Sequence, residues 1–185
     1  VTLEAWLVDI AKLGALRNDL ILMAHAWRAA ATVDVAALAD LIELAEALAT
    51  SAERRLETVT QGNAALVALI AAWPHPILTL IGTTGADVAY PAAIGLAAGA
   101  HDVPLDATLD AYAIAFTGNL VSAAIRLGVI GQTDGQRIQA ALLPELRSIA
   151  NRSEALTLDD LGSAVLIADI AAMQHETQYT RLFRT

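Results

Sequence analysis

Gly82-Thr83-Thr84-Gly85 has residue types suited to cradling a phosphate on backbone N–H groups. A phosphate loop, however, needs Gly-Lys-Ser/Thr opening a helix after a strand, and neither the lysine nor the strand is present. These four residues read as an interhelical loop, and the chain is not a nucleotide hydrolase of that kind. His175-Glu176 begins the zinc-protease pattern HExxH, but the position of its second histidine is Tyr179. His25, His75, His101 and His175 include no i, i+4 pair that would set two imidazoles on one helix face. No metal-ligand set and no catalytic residue is assigned. A weaker reading lets one or two histidines meet a metal at a symmetric interface. Cysteine is absent, which removes thiolate chemistry and disulfides and fits a reducing, cytoplasmic setting.

Two further segments concentrate groups that bind rather than react. In Gly131-Gln132-Thr133-Asp134-Gly135-Gln136, the side chains of Gln132, Asp134 and Gln136 interleave with two glycines between apolar helices. A turn with Thr133 or Asp134 as N-cap accounts for it physically. The C-terminal stretch 174–185 carries Tyr179, Arg181, Leu182, Phe183 and Arg184, types enriched where proteins bind one another, in the only local basic patch of an acidic chain. A terminal strap docked on its own bundle is the alternative.

The elements that position these groups follow from composition. Of 185 residues, 56% are hydrophobic but only 4% aromatic, and 41 are alanine. Ala and Leu lose little side-chain freedom in a helix, whereas the β-branched and aromatic types that fill sheets are scarce. The expectation is all-α, a single-domain bundle of about eight to ten helices. A net charge of −9 repels phosphate backbones and anionic lipid surfaces, so nucleic acid and membrane are not expected partners. The run Thr58–Ala86 lacks Asp, Glu, Lys and Arg and is long enough to span a bilayer, but Gln61, Asn63 and Pro74-His75-Pro76 argue against insertion. The N-terminus lacks the basic and apolar runs of a signal peptide. The chain begins at Val1 rather than Met, as a fragment or processed form would.

Apolar periodicity predicts helices over Leu3–Leu16, Asp19–Ala31, Asp34–Ala49 with Asp34 as N-cap, and from a Thr50/Glu53 capping box to Trp73. Gly62 marks a bend or a close contact in the fourth. Pro74 and Pro76 end that helix, Pro91 and Pro104 start the next two, and the second of these, running to Leu127, is uncharged from Tyr112 to Ile125. Apolar on nearly all sides, it reads as the central element. Another helix ends near Asn151, and Thr157/Asp160 open a last one from Leu158 to Gln174. Trp6, Trp27, Tyr112 and Phe116 are expected in the core.

The run from Gly85 through Tyr90-Pro91-Ala92-Ala93-Ile94-Gly95-Leu96, then Asn119–Leu127, then Gly131-Gln132-Thr133-Asp134-Gly135-Gln136-Arg137, and finally Asp169–Arg184 resembles, in order and spacing, the UreF family of urease accessory proteins. Leu3–Leu7, Ala26-Trp27-Arg28 and Arg54–Glu57 are similar to the family's earlier helices. The resemblance implies an all-α, homodimeric, non-enzymatic scaffold covering residues 1–185, with 175–185 a partner-binding tail. It implies the partners UreD (UreH in some organisms), the GTPase UreG and apo-urease, nickel in transit, GTP on the partner, and no cofactor tightly held by this chain. Tyr179, Arg181, Leu182, Phe183 and Arg184 then carry partner contact, and Gln132, Asp134 and Gln136 form a motif. Family members carry a further N-terminal segment, with a Pro-Val-Gly then Ser-Tyr-Ser type motif, so the chain reads as an N-terminally shortened member. Ala164–Ala168 replaces a segment often holding glycine or proline, which implies a more regular final helix. Two other functions fit the same residues: direct regulation of GTP hydrolysis by UreG, with Arg181 or Arg184 as an arginine finger, and a small-ligand-binding bundle with a cavity lined by Tyr112–Ile125.

Overall fold

The computed structural model describes residues 2–165 together with Ile170, Ala171, Met173 and Gln174. These are all-α, as composition predicts: eight α-helices and one short 3₁₀ turn among the described residues. They form two compact units, one of residues 2–21 with Leu105–Val165 and one built on Leu22–Pro104.

In the second unit, α2 (Ala15–Ala31) contributes its residues from Leu22 onward, followed by α3 (Val35–Ala47), α4 (Ala52–Ala72), α5 (Pro76–Thr83) and α6 (Tyr90–Ala100). Asp34 caps α3 as expected, accepting from the Ala37 N–H at 3.0 Å. The cap of α4 is Ser51 rather than Thr50, accepting from the Arg54 N–H at 3.1 Å. Helix α6 is the buried element: Pro91, Ala92, Ala93, Gly95, Leu96, Ala97, Ala98 and Gly99 are all inside. Its small residues admit neighbouring backbones directly. A Cβ on Gly95 would stand 2.4 Å from the Met23 carbonyl oxygen, and one on Gly99 would stand 2.2 Å from that of Trp27. Gly62 of α4 sits against the entry to α6, where a Cβ would lie 1.9 Å from the Val88 oxygen, so the close contact rather than the bend explains it. Polar groups lock the same corner. The Val88 N–H donates to Asn63 Oδ1 at 3.0 Å, Asn63 Nδ2 to Asp87 Oδ1 at 3.1 Å, and the Tyr90 N–H to Thr58 Oγ1 at 3.1 Å. Arg55 bridges Glu46 of α3 and Asp87 of that loop.

The first unit holds α1 (Leu3–Leu13), the first residues of α2, α7 (Leu105–Arg126), α8 (Gln132–Glu154) and the 3₁₀ turn Leu158–Asp160. Helices α7 and α8 pack antiparallel: Gly135 meets Val121 and Ile125, while Gln139 Nε2 donates to the Ile114 carbonyl at 2.8 Å. Helix α7 is not central. It buries one stripe, Leu105, Thr108, Leu109, Ala113, Thr117, Val121 and Ala124, and exposes Ala115, Asn119 and Ser122. Alanine carries little apolar area, so exposing it costs little, and an uncharged helix need not be buried all round. By length and composition alone α7 could also cross a bilayer. The expected aromatic core is corrected too. Trp6 is 38% exposed. Trp27, Tyr112 and Phe116 are half-buried, Trp27 Nε1 donating to the Val103 carbonyl at 2.7 Å and the Tyr112 hydroxyl to Asp19 at 2.8 Å.

The last helix differs most from expectation. Thr157 and Asp160 pair, but only Leu158–Asp160 is helical and Leu161–Val165 is extended or irregular. Long-range hydrogen bonds displace the local pattern: Arg17 donates to the Asp160 carbonyl, the Gly162 N–H to Asn18 Oδ1 at 3.0 Å, and the Ala164 N–H to the Leu13 carbonyl at 2.8 Å. Ile170, Ala171, Met173 and Gln174 are helical, and the remaining residues of that expected helix lie outside the described set.

Three consequences are measurable. Gly62→Ala gains helix propensity of about 1 kcal/mol but forces a methyl into backbone, so urea denaturation should show a net loss of about 1–3 kcal/mol. Val33, 61% exposed, closes α2 in the left-handed region at φ 56°, with the Asp34 N–H bonded to the Ala29 carbonyl at 2.8 Å. A β-branched residue is strained there, so Val33→Gly should raise stability by about 0.5–1 kcal/mol, less than the full strain because glycine gives up more chain entropy. Finally, the Thr157 N–H and hydroxyl both donate to Asp160 Oδ2 at 2.9 Å and hold its carboxyl below the usual range. A depressed folded pKa gives stability that is present above the unfolded carboxylate value and lost as pH falls through the folded one. The difference in melting temperature between the native chain and Asp160→Asn should therefore be full at neutral pH and shrink below the ordinary carboxylate range.

Candidate functional site

Gln132, Thr133, Asp134 and Gln136 form the exposed opening of α8, whose N-cap is Gly131. Neither Thr133 nor Asp134 is the cap. Both lie inside the first turn, and Asp134 Oδ1 instead accepts from Arg137 at 3.1 Å. Helical spacing puts Gln132 and Gln136 one turn apart on the solvent side, while Gly135 between them turns into α7. The motif therefore combines one packing residue with an accessible polar edge able to donate and accept hydrogen bonds. Leu127 and Val129 are exposed in the preceding turn. Tyr179, Arg181, Leu182, Phe183 and Arg184 lie outside the described residues.

The Gly82–Gly85 segment is the C-terminal end of α5, not the N-terminal end of a helix where backbone N–H groups point outward. Its hydroxyls turn back on their own helix, Thr83 Oγ1 to the Leu80 carbonyl and Thr84 Oγ1 to that of Ile81, both at 2.7 Å.

Along α4 and α5 parts of the uncharged run are surface. Val67, Trp73 and Leu80 are exposed, Trp73 to 64%. The structure also joins two histidines that sequence spacing kept apart. His75 stands between two prolines and caps α5, its Nδ1 facing the Ile77 N–H at 3.4 Å. His101 is the C-cap of α6, with Nε2 3.0 Å from the Trp73 carbonyl oxygen. The ring centroids are 5.5 Å apart and the planes are tilted by 71°. No local signal announces this pair, because it arises from the α4–α5 corner folding against the end of α6.

Known proteins give these surfaces a context. The UreF family model matches residues 1–143. A urease accessory protein UreF from Xanthobacter autotrophicus is 53% identical across all of this chain and 76% of its own length. Proteins of the same name from Azorhizobium caulinodans and Methylobacterium radiotolerans are 51% and 49% identical across the whole chain and 80% and 81% of their own lengths. With the family model covering most of its residues and such relatives matching from end to end, the chain belongs to the UreF family of urease accessory proteins.

Proposed function

We propose that this chain is a non-catalytic, cytoplasmic scaffold in urease maturation, a homodimer that holds UreD (UreH) and the GTPase UreG in register for delivery of nickel to apo-urease. One observation carries the reading: about half the residues are identical to urease accessory proteins along the entire chain. Its parts suit contact rather than chemistry. The first turn of α8 offers Gln132 and Gln136 on a rigid helix, and the sequence of the tail offers Tyr179, Arg181, Leu182, Phe183 and Arg184. Arginine's planar, permanently charged fork pairs well with carboxylates on a partner, and removing one member of a buried pair costs on the order of 2–5 kcal/mol.

Pull-down of the chain against UreD and UreG tests this assignment. The native chain should retain UreD and, through that complex, UreG, and Arg184→Ala should lower UreG retention by at least about tenfold with circular dichroism unchanged. An unaltered ternary complex would remove the tail from the interface. Failure to retain UreD or UreG at all would overturn the scaffold reading. A GTPase assay run alongside separates the roles. A rate unchanged by an intact complex supports a scaffold, whereas a rise of about 10³-fold abolished by Arg181→Ala or Arg184→Ala would replace it with direct regulation of hydrolysis.

A further inference from the structure

We propose that the adjoining C-terminal ends of α2 and α6 form a docking patch for a protein segment that carries an apolar side chain between lysine or arginine residues. Helices α2, α6 and α7 finish in the same turn, with one N–H bonded back three residues and the next bonded back five. After α7 the left-handed position is Gly128 at φ 71°, and its two bonds are 3.0 and 2.9 Å. After α2 it is Val33 at φ 56°, with bonds of 3.1 and 2.8 Å, and after α6 it is Asp102 at φ 54°, with bonds of 3.4 and 2.9 Å. Glycine adopts that backbone without strain, so the turn itself needs neither side chain. Both residues are exposed, Val33 to 61%. Backbone strain that packing does not offset collects at ligand clamps and switch regions.

The two turns adjoin because Gly95 packs on Met23 and Gly99 on Trp27, which sets α6 parallel to α2, and Trp27 Nε1 holds the Val103 carbonyl at 2.7 Å. Val35 and Val103, each next to one of the turns, are exposed as well. Asp34 and Asp102 stand beside these valines in the chain. Asp34 Oδ1 accepts from the Ala37 N–H, and neither carboxylate forms an ion pair among the described residues. Residues 22–104 hold eight Asp and Glu against three Arg, of which Arg54 and Arg55 are already paired with Glu57, Glu46 and Asp87. The third, Arg28 in the last turn of α2, is half-buried. A valine surface bordered by open carboxylates complements an apolar anchor with a basic border, whose charges also steer the encounter. The scaffold reading places contact on α8 and the tail, so this patch extends it; it rests on that reading for the occupant, a segment of UreD, UreG or apo-urease.

Measuring the affinity of the whole chain for purified UreD, for UreG in the presence of UreD, and for apo-urease tests the patch. One of the three should bind the native chain and bind Val33→Gly about tenfold more weakly, although the melting temperature of that variant rises. Val33→Ile, which keeps the apolar surface, should bind as the native chain does. Asp102→Asn tolerates the same backbone and should weaken binding about threefold or more while flattening its dependence on salt. Affinity and stability then move in opposite directions at Val33, which a structural role alone does not produce. Affinities unchanged by both Val33→Gly and Asp102→Asn would overturn the patch and leave the scaffold reading standing, whereas no binding of any of the three proteins to the native chain would overturn both. Self-association of the native chain that Val33→Gly weakens would assign the patch to a second copy and overturn the basic occupant.

Discussion

The closest constraint in the Leu22–Pro104 unit is the absence of a side chain where α4 meets the entry to α6. At Gly62 the two backbones approach so closely that no Cβ fits, and Gly95 and Gly99 repeat the condition against α2. Most other features of the unit follow from these contacts. With alanine and glycine as its packing residues, α6 buries little area per side chain, and close approach recovers dispersion contacts that larger residues would otherwise supply. The side chains of Asn63 and Thr58, accepting from the Val88 and Tyr90 N–H groups, then satisfy backbone that so tight a corner would leave dry.

In the other unit the decisive contest is between local preference and distant partners. Thr157 and Asp160 form the capping pair that the sequence advertises, yet the helix stops after one 3₁₀ turn. The backbone of Gly162 and Ala164 is claimed by Asn18 and Leu13, and Val165 lies close beside Gly14. Each of those bonds satisfies a group that a helix would have satisfied too, so the balance is set by what the elbow between α1 and α2 offers. The all-α class and the starts of α3, α6 and α7 were legible because caps and prolines act within a turn of themselves. The end of the last helix was not, because its determinants are more than a hundred residues away.

The candidate surfaces divide along the same line. The exposed edge of Gln132 and Gln136 was readable from a polar, glycine-spaced run between apolar helices. That Gly135 is its packing point, and Gly131 rather than Thr133 or Asp134 its cap, required the antiparallel pairing of α7 with α8. The histidine pair was outside any spacing rule, since the search for metal ligands on one helix face tests only neighbours in sequence. Uncharged composition likewise overstated the burial of α7 and gave no hint that α6 would be the enclosed helix.

By itself, the sequence determined helix content, net charge, most of the N-terminal helix boundaries and, through its ordered motifs, the family. Each of those depends on interactions within a turn or on sums over residue types, which do not change with the path of the chain. Which helix is buried, where backbones touch, how the segment after Asp160 runs and which histidines meet were decided by tertiary structure alone. Those outcomes depend on clearances of a few ångströms between residues distant in sequence, and only the folded chain brings such residues together.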